Sequence, residues 1–381
     1  MTMKTLTQLT ITAALLGMSG ISHAALTTTV GPVDFNGGAS VTATSNSKLT
    51  ATANNDNATA ANVLLGQFDP SLGVLTGADL SLNSSRIQAL SGSGAKSMGP
   101  GRTANGSGLS TAALGAPGVS STFTPAITQS GTGCSLAMGH SSSSCSWDAG
   151  TSSEVATNST TSVSSADLNS YVGDSSINAT LSLPSLAATS TLSRTQGGPS
   201  SSTSTYSVDW SGSVQADYTY LLHAAPSFAD ASTQSSLSLN FGTVLQNSSV
   251  APLAFSLYNL ADPNRNGVNL DSFASSGDSA KLTTDLAIFT NLLQGGSNSF
   301  AANLNTSTIG AFSAQYVLNL SDWNPGGAAS NTLNQYQLTL NLTGNVAAVP
   351  EPEEYAMMLL GFGMVGYQIK RKQKKLAKVV V

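Results

Sequence analysis

Tyr336-Gln337-Leu338-Thr339-Leu340-Asn341-Leu342 is the stretch that decides the fold class. Apolar and polar residues alternate with a period of two, which places one face in a core and the other in water, as in an antiparallel strand. The same alternation runs through Ile177–Leu183, Leu237–Phe241, Tyr218-Thr219-Tyr220 and Tyr316–Leu320. Turn-forming clusters punctuate these runs: Asn36-Gly37-Gly38, Pro226, Asp262-Pro263-Asn264 and Asn324-Pro325-Gly326-Gly327. Many short strands separated by such turns predict an all-β chain built as an antiparallel β-sandwich or barrel. The one helical hint in the body, Thr284–Leu293, reads equally well as a strand plus a turn.

Working outward, the alternation fades between about residues 91 and 165. This stretch is rich in Gly, Ser and Thr and poor in large apolar side chains. Such a segment buries too little area to offset its chain entropy, so it reads as a long mobile insertion. A second, shorter loop is expected at residues 200–205. Charge is scarce everywhere: 9% of the 381 residues are Asp, Glu, Lys or Arg, against about 25% in ordinary globular chains. Between Ala25 and Val349 there are seven Lys or Arg and sixteen Asp or Glu, a net −9. A body so poor in cations cannot neutralise many phosphates, which argues against nucleic-acid binding.

Both ends carry targeting features. Lys4 precedes an apolar, small-residue run from Leu9 to Met18, and small residues lead to a plausible cut between Ala24 and Ala25. Charged start, short apolar stretch and small-residue exit make residues 1–24 a secretory signal peptide, which implies passage through the Sec translocon. At the other end Pro350-Glu351-Pro352 is followed by the apolar run Tyr355–Ile369, then by Lys370, Arg371, Lys372, Lys374, Lys375 and Lys378. Fifteen helical residues rise only about 23 Å against a hydrocarbon core of about 30 Å, with snorkelling flanks expected to close the gap. The basic cluster would stay cytoplasmic, leaving the body on the far side of the membrane.

The order of these C-terminal parts resembles the PEP-CTERM sorting signal, in which a Pro-Glu-Pro motif, a short apolar helix and a basic cluster are recognised and removed by the membrane protease exosortase. The motif maps onto Pro350, Glu351 and Pro352, the transmembrane helix onto 355–369, and the basic tail onto 370–378. The trailing Leu376–Val381 departs from signals that stop at the cluster. Prolines here would hold the cut site extended just outside the bilayer. Within the body, Phe68–Thr76 with Leu80-Ser81-Leu82, and later Tyr206–Tyr220, resemble the opening and closing strands of choice-of-anchor E domains. Phe241–Val244 and Phe255–Leu260 are similar to an immunoglobulin-like, choice-of-anchor D-type module ending at Tyr336–Leu342. These resemblances imply sandwiches of jelly-roll or immunoglobulin-like type at 25–225 and 226–348, with the sorting signal at 349–381, and they bring no catalytic residues.

Few residues carry recognisable chemistry. Cys134 and Cys145 are the only cysteines, and in an exported protein a disulfide closing the Ser-rich loop is the leading reading. A zinc site with His140 and Met138 would lack a fourth ligand. Asp262, Asn264, Asn266 and Gly267 copy the first half of a calcium loop, with Phe273 where the bidentate Glu belongs and Asp271 as a substitute. The other reading is a turn whose Asp and Asn bond their own backbone. With Glu154 as the only body glutamate, His140 and His223 as its only histidines and no nucleophile elbow, an enzyme is not expected, and neither a cofactor nor a metal is assigned. Trp210 and Trp323 sit by strand-like runs and read as core, whereas Trp147, in a loop with little core near it, is the better candidate of the three for a contact residue.

Together these readings predict an exported structural protein of the cell surface or extracellular matrix. It would pass through an inner-membrane intermediate, be sorted by exosortase, associate with exopolysaccharide and carry O-linked sugar on its Ser/Thr-rich surface. The alternatives are a carbohydrate-binding adhesin and, more distantly, a secreted hydrolase using paired aspartates.

Overall fold

A computed structural model describes residues 25–46, 49–131, 133–152, 155–193, 199–349 and 352–376. Among the described residues up to 349 the regular structure is strand apart from short 3-10 turns, and the helical hint at 284–293 resolves into the end of one strand, an irregular stretch and the short strand Phe289–Leu292. The first half contains β1 (Leu26–Asn46), β2 (Thr50–Asn54), β3 (Ala58–Gly66), β4 (Val74–Lys96), β5 (Arg102–Ala116), β6 (Val119–Ser130), β7 (Cys134–Leu136), β8 (Ser143–Thr151), β9 (Val155–Ser162), β10 (Ser176–Leu183), β11 (Leu186–Leu192) and β12 (Ser200–Leu221). These form one sheet in the order β1-β12-β4, with β8 and β9 both on the far edge of β4. The other sheet centres on β5, in the order β2-β11-β5-β10-β3, with β6 and β7 on its opposite edge. The buried faces of both sheets share one core, containing Leu80, Leu90, Leu114, Leu181, Tyr206, Trp210 and Tyr218.

The segment from 91 to 165 is not a structureless insertion: it supplies the end of β4 and all of β5 to β9. Two features of the sequence make this work. Pro117-Gly118 forms the β5–β6 turn with Gly118 at φ 67°, a position that suits Pro followed by a residue of positive φ. Glycine and serine also face large rings, so small and large residues interlock. A Cβ on Gly108 would collide with the Tyr206 ring, and one on Gly92 or Gly131 with Trp147. Close backbone approach therefore supplies burial that composition alone does not suggest. Residues 200–205 likewise belong to β12 rather than to a loop, bonded to β1 on one side and β4 on the other.

The second half contains β13 (Pro226–Ser227), β14 (Ser236–Leu245), β15 (Leu253–Asn259), β16 (Val268–Gly277), β17 (Leu282–Thr284), β18 (Phe289–Leu292), β19 (Ser297–Leu304), β20 (Gly310–Asp322) and β21 (Gln335–Ala347). They make a sheet β13-β15-β19-β17 and a sheet β14-β21-β20-β16-β18, whose faces enclose a separate core. All strand pairs between named strands are antiparallel except β14 with β21. In β21 the alternation places Leu338, Leu340 and Leu342 inward and Gln337, Thr339 and Asn341 outward.

The C-terminal helix α1 spans Pro352–Leu376. Pro352 opens it, correcting the expectation of a fully extended Pro-Glu-Pro segment, because a first-turn proline needs no amide donor. Its residues from Ala356 to Arg371 are exposed. No helix among the described residues is long and apolar enough to cross a membrane, so the expected transmembrane span is not met by this helix. Its apolar run stops at Ile369, where the charged residues continue the same helix. The signal-peptide residues through Ala24, together with Pro350 and Glu351, lie outside the described residues.

Candidate functional site

The outer face of the β1-β12-β4 sheet is an array of hydroxyls and amides. Thr44, Thr203, Ser93 and Ser146 align in one row across β1, β12, β4 and β8. Hydroxyls bond within the rows: Ser93 Oγ lies 2.8 Å from Thr203 Oγ1, and Thr42 Oγ1 lies 2.9 Å from Thr205 Oγ1. Toward the β9 edge this face dips into an open cleft of about 510 Å³. Its polar lining includes Ser81, Asn83, Asn158, Thr160, Ser213 and Gln215, and none of its lining residues is charged. Strand register brings them together, since Asn83 pairs with Asn158 and Ser213, and Ser81 pairs with Thr160 and Gln215. The carboxylate of Asp217 accepts hydrogen bonds from Thr29 at 2.6 Å and from Gln215 at 3.0 Å, which holds the Gln215 amide in place.

A second cleft, about 450 Å³, opens on the outer face of β20 and β21 beside Asp271, Asn319, Gln335, Tyr336 and Gln337. Amides here bond side by side: Gln337 donates to Asn319 at 3.3 Å, Asn319 to Ser272 at 3.1 Å and Gln315 to Asn341 at 3.1 Å. Apart from the Asp271 carboxylate, the amides and hydroxyls of this face offer paired donors and acceptors without a charge. Vicinal sugar hydroxyls have the same chemistry.

Of the body cations that are described, none is fully exposed. Arg86, Lys96 and Arg102 are buried, while Arg265 and Lys281 are partly buried. Lys96 Nζ donates to the Gly99 carbonyl at 2.8 Å, and Arg102 donates to Ser200.

Where the two cores meet, a polar cluster forms that the sequence reading did not find. His223 Nδ1 lies 2.8 Å from Asp322 Oδ2, and His223 Nε2 lies 2.9 Å from the Pro70 carbonyl oxygen. Both ring nitrogens face acceptors, so the arrangement favours the doubly protonated ring. Burial pulls the imidazole pKa down, but the bond to Asp322, the bond to Pro70 and the Asp322 charge outweigh it, holding His223 above its ordinary 6.5. Asp322 also accepts from Ala224 N–H at 2.7 Å, Asn334 N–H at 2.8 Å and Tyr336 O–H at 3.0 Å. Burial, together with the Asp322 charge, pushes the Tyr336 phenol well up. The resemblance to a hydrolytic His–Asp pair ends at Nε2, which bonds a backbone carbonyl where a nucleophile would sit. Leu75 N–H to Thr332 Oγ1 at 3.1 Å and Ala329 N–H to the Leu75 carbonyl at 2.9 Å extend the same joint.

The half calcium loop is part of this joint. Asp262 Oδ1 accepts the Asn264 N–H at 3.1 Å, the Asx turn of the alternative reading, and Asn266 Nδ2 donates to the Trp323 carbonyl at 2.6 Å. Backbone groups of Asn264 and Asn266 clasp Leu222, and Arg265 donates to the His223 carbonyl at 2.9 Å. Asp271 lies instead at the second cleft. Among the described residues no group of three or more His, Cys, Asp or Glu could hold a metal.

Cys134 and Cys145 are disulfide-bonded, with a Cα separation of 5.9 Å. The bond ties β7 of one sheet to β8 of the other. Trp147, the better candidate of the three tryptophans for a contact residue, is buried between Gly92 and Gly131, and the glycines explain how a ring fits there. Trp210 is fully buried, its Nε1 donating to Ser84 Oγ at 2.9 Å, and Trp323 is partly exposed. Lys370, Arg371 and Lys372 are exposed on α1, which also carries Lys374 and Lys375.

No family model matches this chain, and no curated protein matches it. Among solved structures it is similar to a nucleoside hydrolase-related hypothetical protein from Saccharophagus degradans that is associated with carbohydrate metabolism. The likeness has 15% identity and a TM-score of 0.19, and covers 34% of this chain and 26% of that one.

Proposed function

We propose that this protein is an exported structural component of a cell-surface or extracellular matrix that associates with exopolysaccharide, and that its two halves are β-sandwiches of jelly-roll or immunoglobulin-like type. The observation that carries the reading is the uncharged cleft of Ser81, Asn83, Asn158, Thr160, Ser213 and Gln215 on a hydroxyl-covered sheet face. A neutral polymer loses little hydration there that hydrogen bonds do not replace, whereas a polyphosphate would find no exposed described cation in the body. No tryptophan lines this cleft, so the adhesin reading, which rests on a ring platform, gains nothing from it.

Delivery by exosortase belongs to the same proposal. It is supported by Pro350-Glu351-Pro352, whose last proline opens a helix with an exposed apolar run followed by Lys370–Lys375. Sorting is tested by intact mass and fractionation of the protein from hosts with and without exosortase. Loss of the chain beyond the Pro350–Pro352 region only when the protease is present supports it, and a tail kept in both hosts overturns it. Binding is tested by retention on exopolysaccharide. Asn158→Ala with Gln215→Ala should lower retention at least tenfold with an unchanged melting midpoint, and unchanged retention rejects the cleft.

A further inference from the structure

Arg86 is the residue least explained by the fold. It lies on the inward side of β4, in the run Ser84, Arg86, Gln88, Leu90, and is 1% exposed. Its Cζ sits 5.9 Å from the centre of the ring of Trp210, its cross-strand partner on β12. Yet Nε, Nη1 and Nη2 are all buried with no hydrogen-bond partner among the described residues. The polar neighbours are committed elsewhere. Gln88 accepts from the Tyr206 hydroxyl, which also meets Ser110, and Ser84 accepts from Trp210 while donating to the Thr157 carbonyl.

A guanidinium does not deprotonate in a protein, so Arg86 cannot relieve its burial by becoming neutral. A cation–π contact attracts the charge but leaves five N–H donors unfilled. A carboxylate would fill them, but among the described residues the one buried carboxylate is Asp322, in the other half of the chain. Leaving a buried charge uncompensated is among the costliest arrangements in a fold.

We infer that the first core binds a small monovalent anion of the halide class on the Arg86 guanidinium. Size follows from enclosure, since a residue 1% exposed cannot be reached by a polymer or an organic acid. Single charge follows from isolation. Lys96, the next cation along β4, is ten residues away, about 33 Å at strand rise. A divalent anion would therefore leave one charge unpaired. The site is independent of the polysaccharide reading and would be an internal structural ligand.

The test uses the full chain. Protein refolded and crystallised in sodium bromide should show an anomalous bromine peak within hydrogen-bonding distance of the Arg86 nitrogens. In solution, at fixed ionic strength made up with gluconate, each tenfold rise in chloride above the dissociation constant should raise the folded-to-unfolded ratio about tenfold. Arg86→Met should fold and lose that dependence. Absence of a peak at Arg86, or the same chloride dependence in Arg86→Met, overturns the inference. Should the variant fail to fold, the bromide peak in the unaltered protein still decides.

Discussion

Asp322→Ala is the substitution expected to cost this protein most for its size. The carboxylate accepts from His223, Ala224, Asn334 and Tyr336 at 2.7–3.0 Å, and its side chain has no solvent exposure. Removing it strands the Ala224 and Asn334 amides and the Tyr336 hydroxyl, at about 1–3 kcal/mol for each donor left unsatisfied. It also leaves the His223 ring without its counter-charge. Partial relaxation and water entry reduce the sum, so the expected loss is about 4 kcal/mol, in the range for breaking a buried pair. The pH dependence identifies the histidine's share. The folded pKa of His223 lies above its unfolded value of 6.5, so the stabilisation is fully present below about pH 6.5 and fades as pH rises through the folded value. Urea unfolding at pH 6 and pH 9 should therefore show a smaller penalty at pH 9, with the amide and phenol part remaining. His223→Gln should remove the difference between the two pH values. A penalty below about 1 kcal/mol, or one equal at both pH values, would refute the reasoning.

Other expectations are simpler. Gly92→Ala puts a methyl group against the Trp147 ring and the Thr203 carbonyl, and should lower stability by about 1–3 kcal/mol in a thermal melt. Reducing the disulfide between Cys134 and Cys145, separated by 11 residues, should cost about 3 kcal/mol on the chain-entropy account, read from melts with and without reductant. Asp262→Ala loses the cap on the Asn264 amide and should cost about 1 kcal/mol. Because its oxygen serves that turn, titrating calcium should leave the unaltered protein's melting midpoint where it was.

The all-β class was legible because strand parity survives in the sequence wherever large apolar residues alternate, as in Tyr336–Leu342. It was lost in 91–165 because the inward positions there are often Ala, Gly or Ser, and their burial depends on Tyr206 and Trp147, which lie elsewhere in the chain or on another strand. Pro117-Gly118 was a usable turn signal in that stretch. Asp322 was also within reach: it continues the inward parity of Tyr316, Leu318 and Leu320, which marks a buried acid in need of donors. Nothing local named His223 and Ala224 as its donors, nor the Pro70 carbonyl as the acceptor beyond His223, because the joint assembles from segments 98 to 257 residues apart.

The same parity argument links the interior to the surface. A chain with few cations could have kept them outside for solubility, but this one places Arg86, Lys96 and Arg102 in the first half's interior and uses Arg265 to hold the His223 carbonyl. The outer faces are mainly Thr, Ser, Asn and Gln, which bond one another across strands. With the described body cations buried or partly buried and aspartates such as Asp34, Asp209 and Asp271 exposed, these faces offer an anion no counter-charge, and a neutral ligand would be held by short-range hydrogen bonding over many repeats. Individually these bonds are worth about 1 kcal/mol or less in water. Useful affinity then requires a ligand that repeats as the sheet does, which favours a polymer over a small molecule.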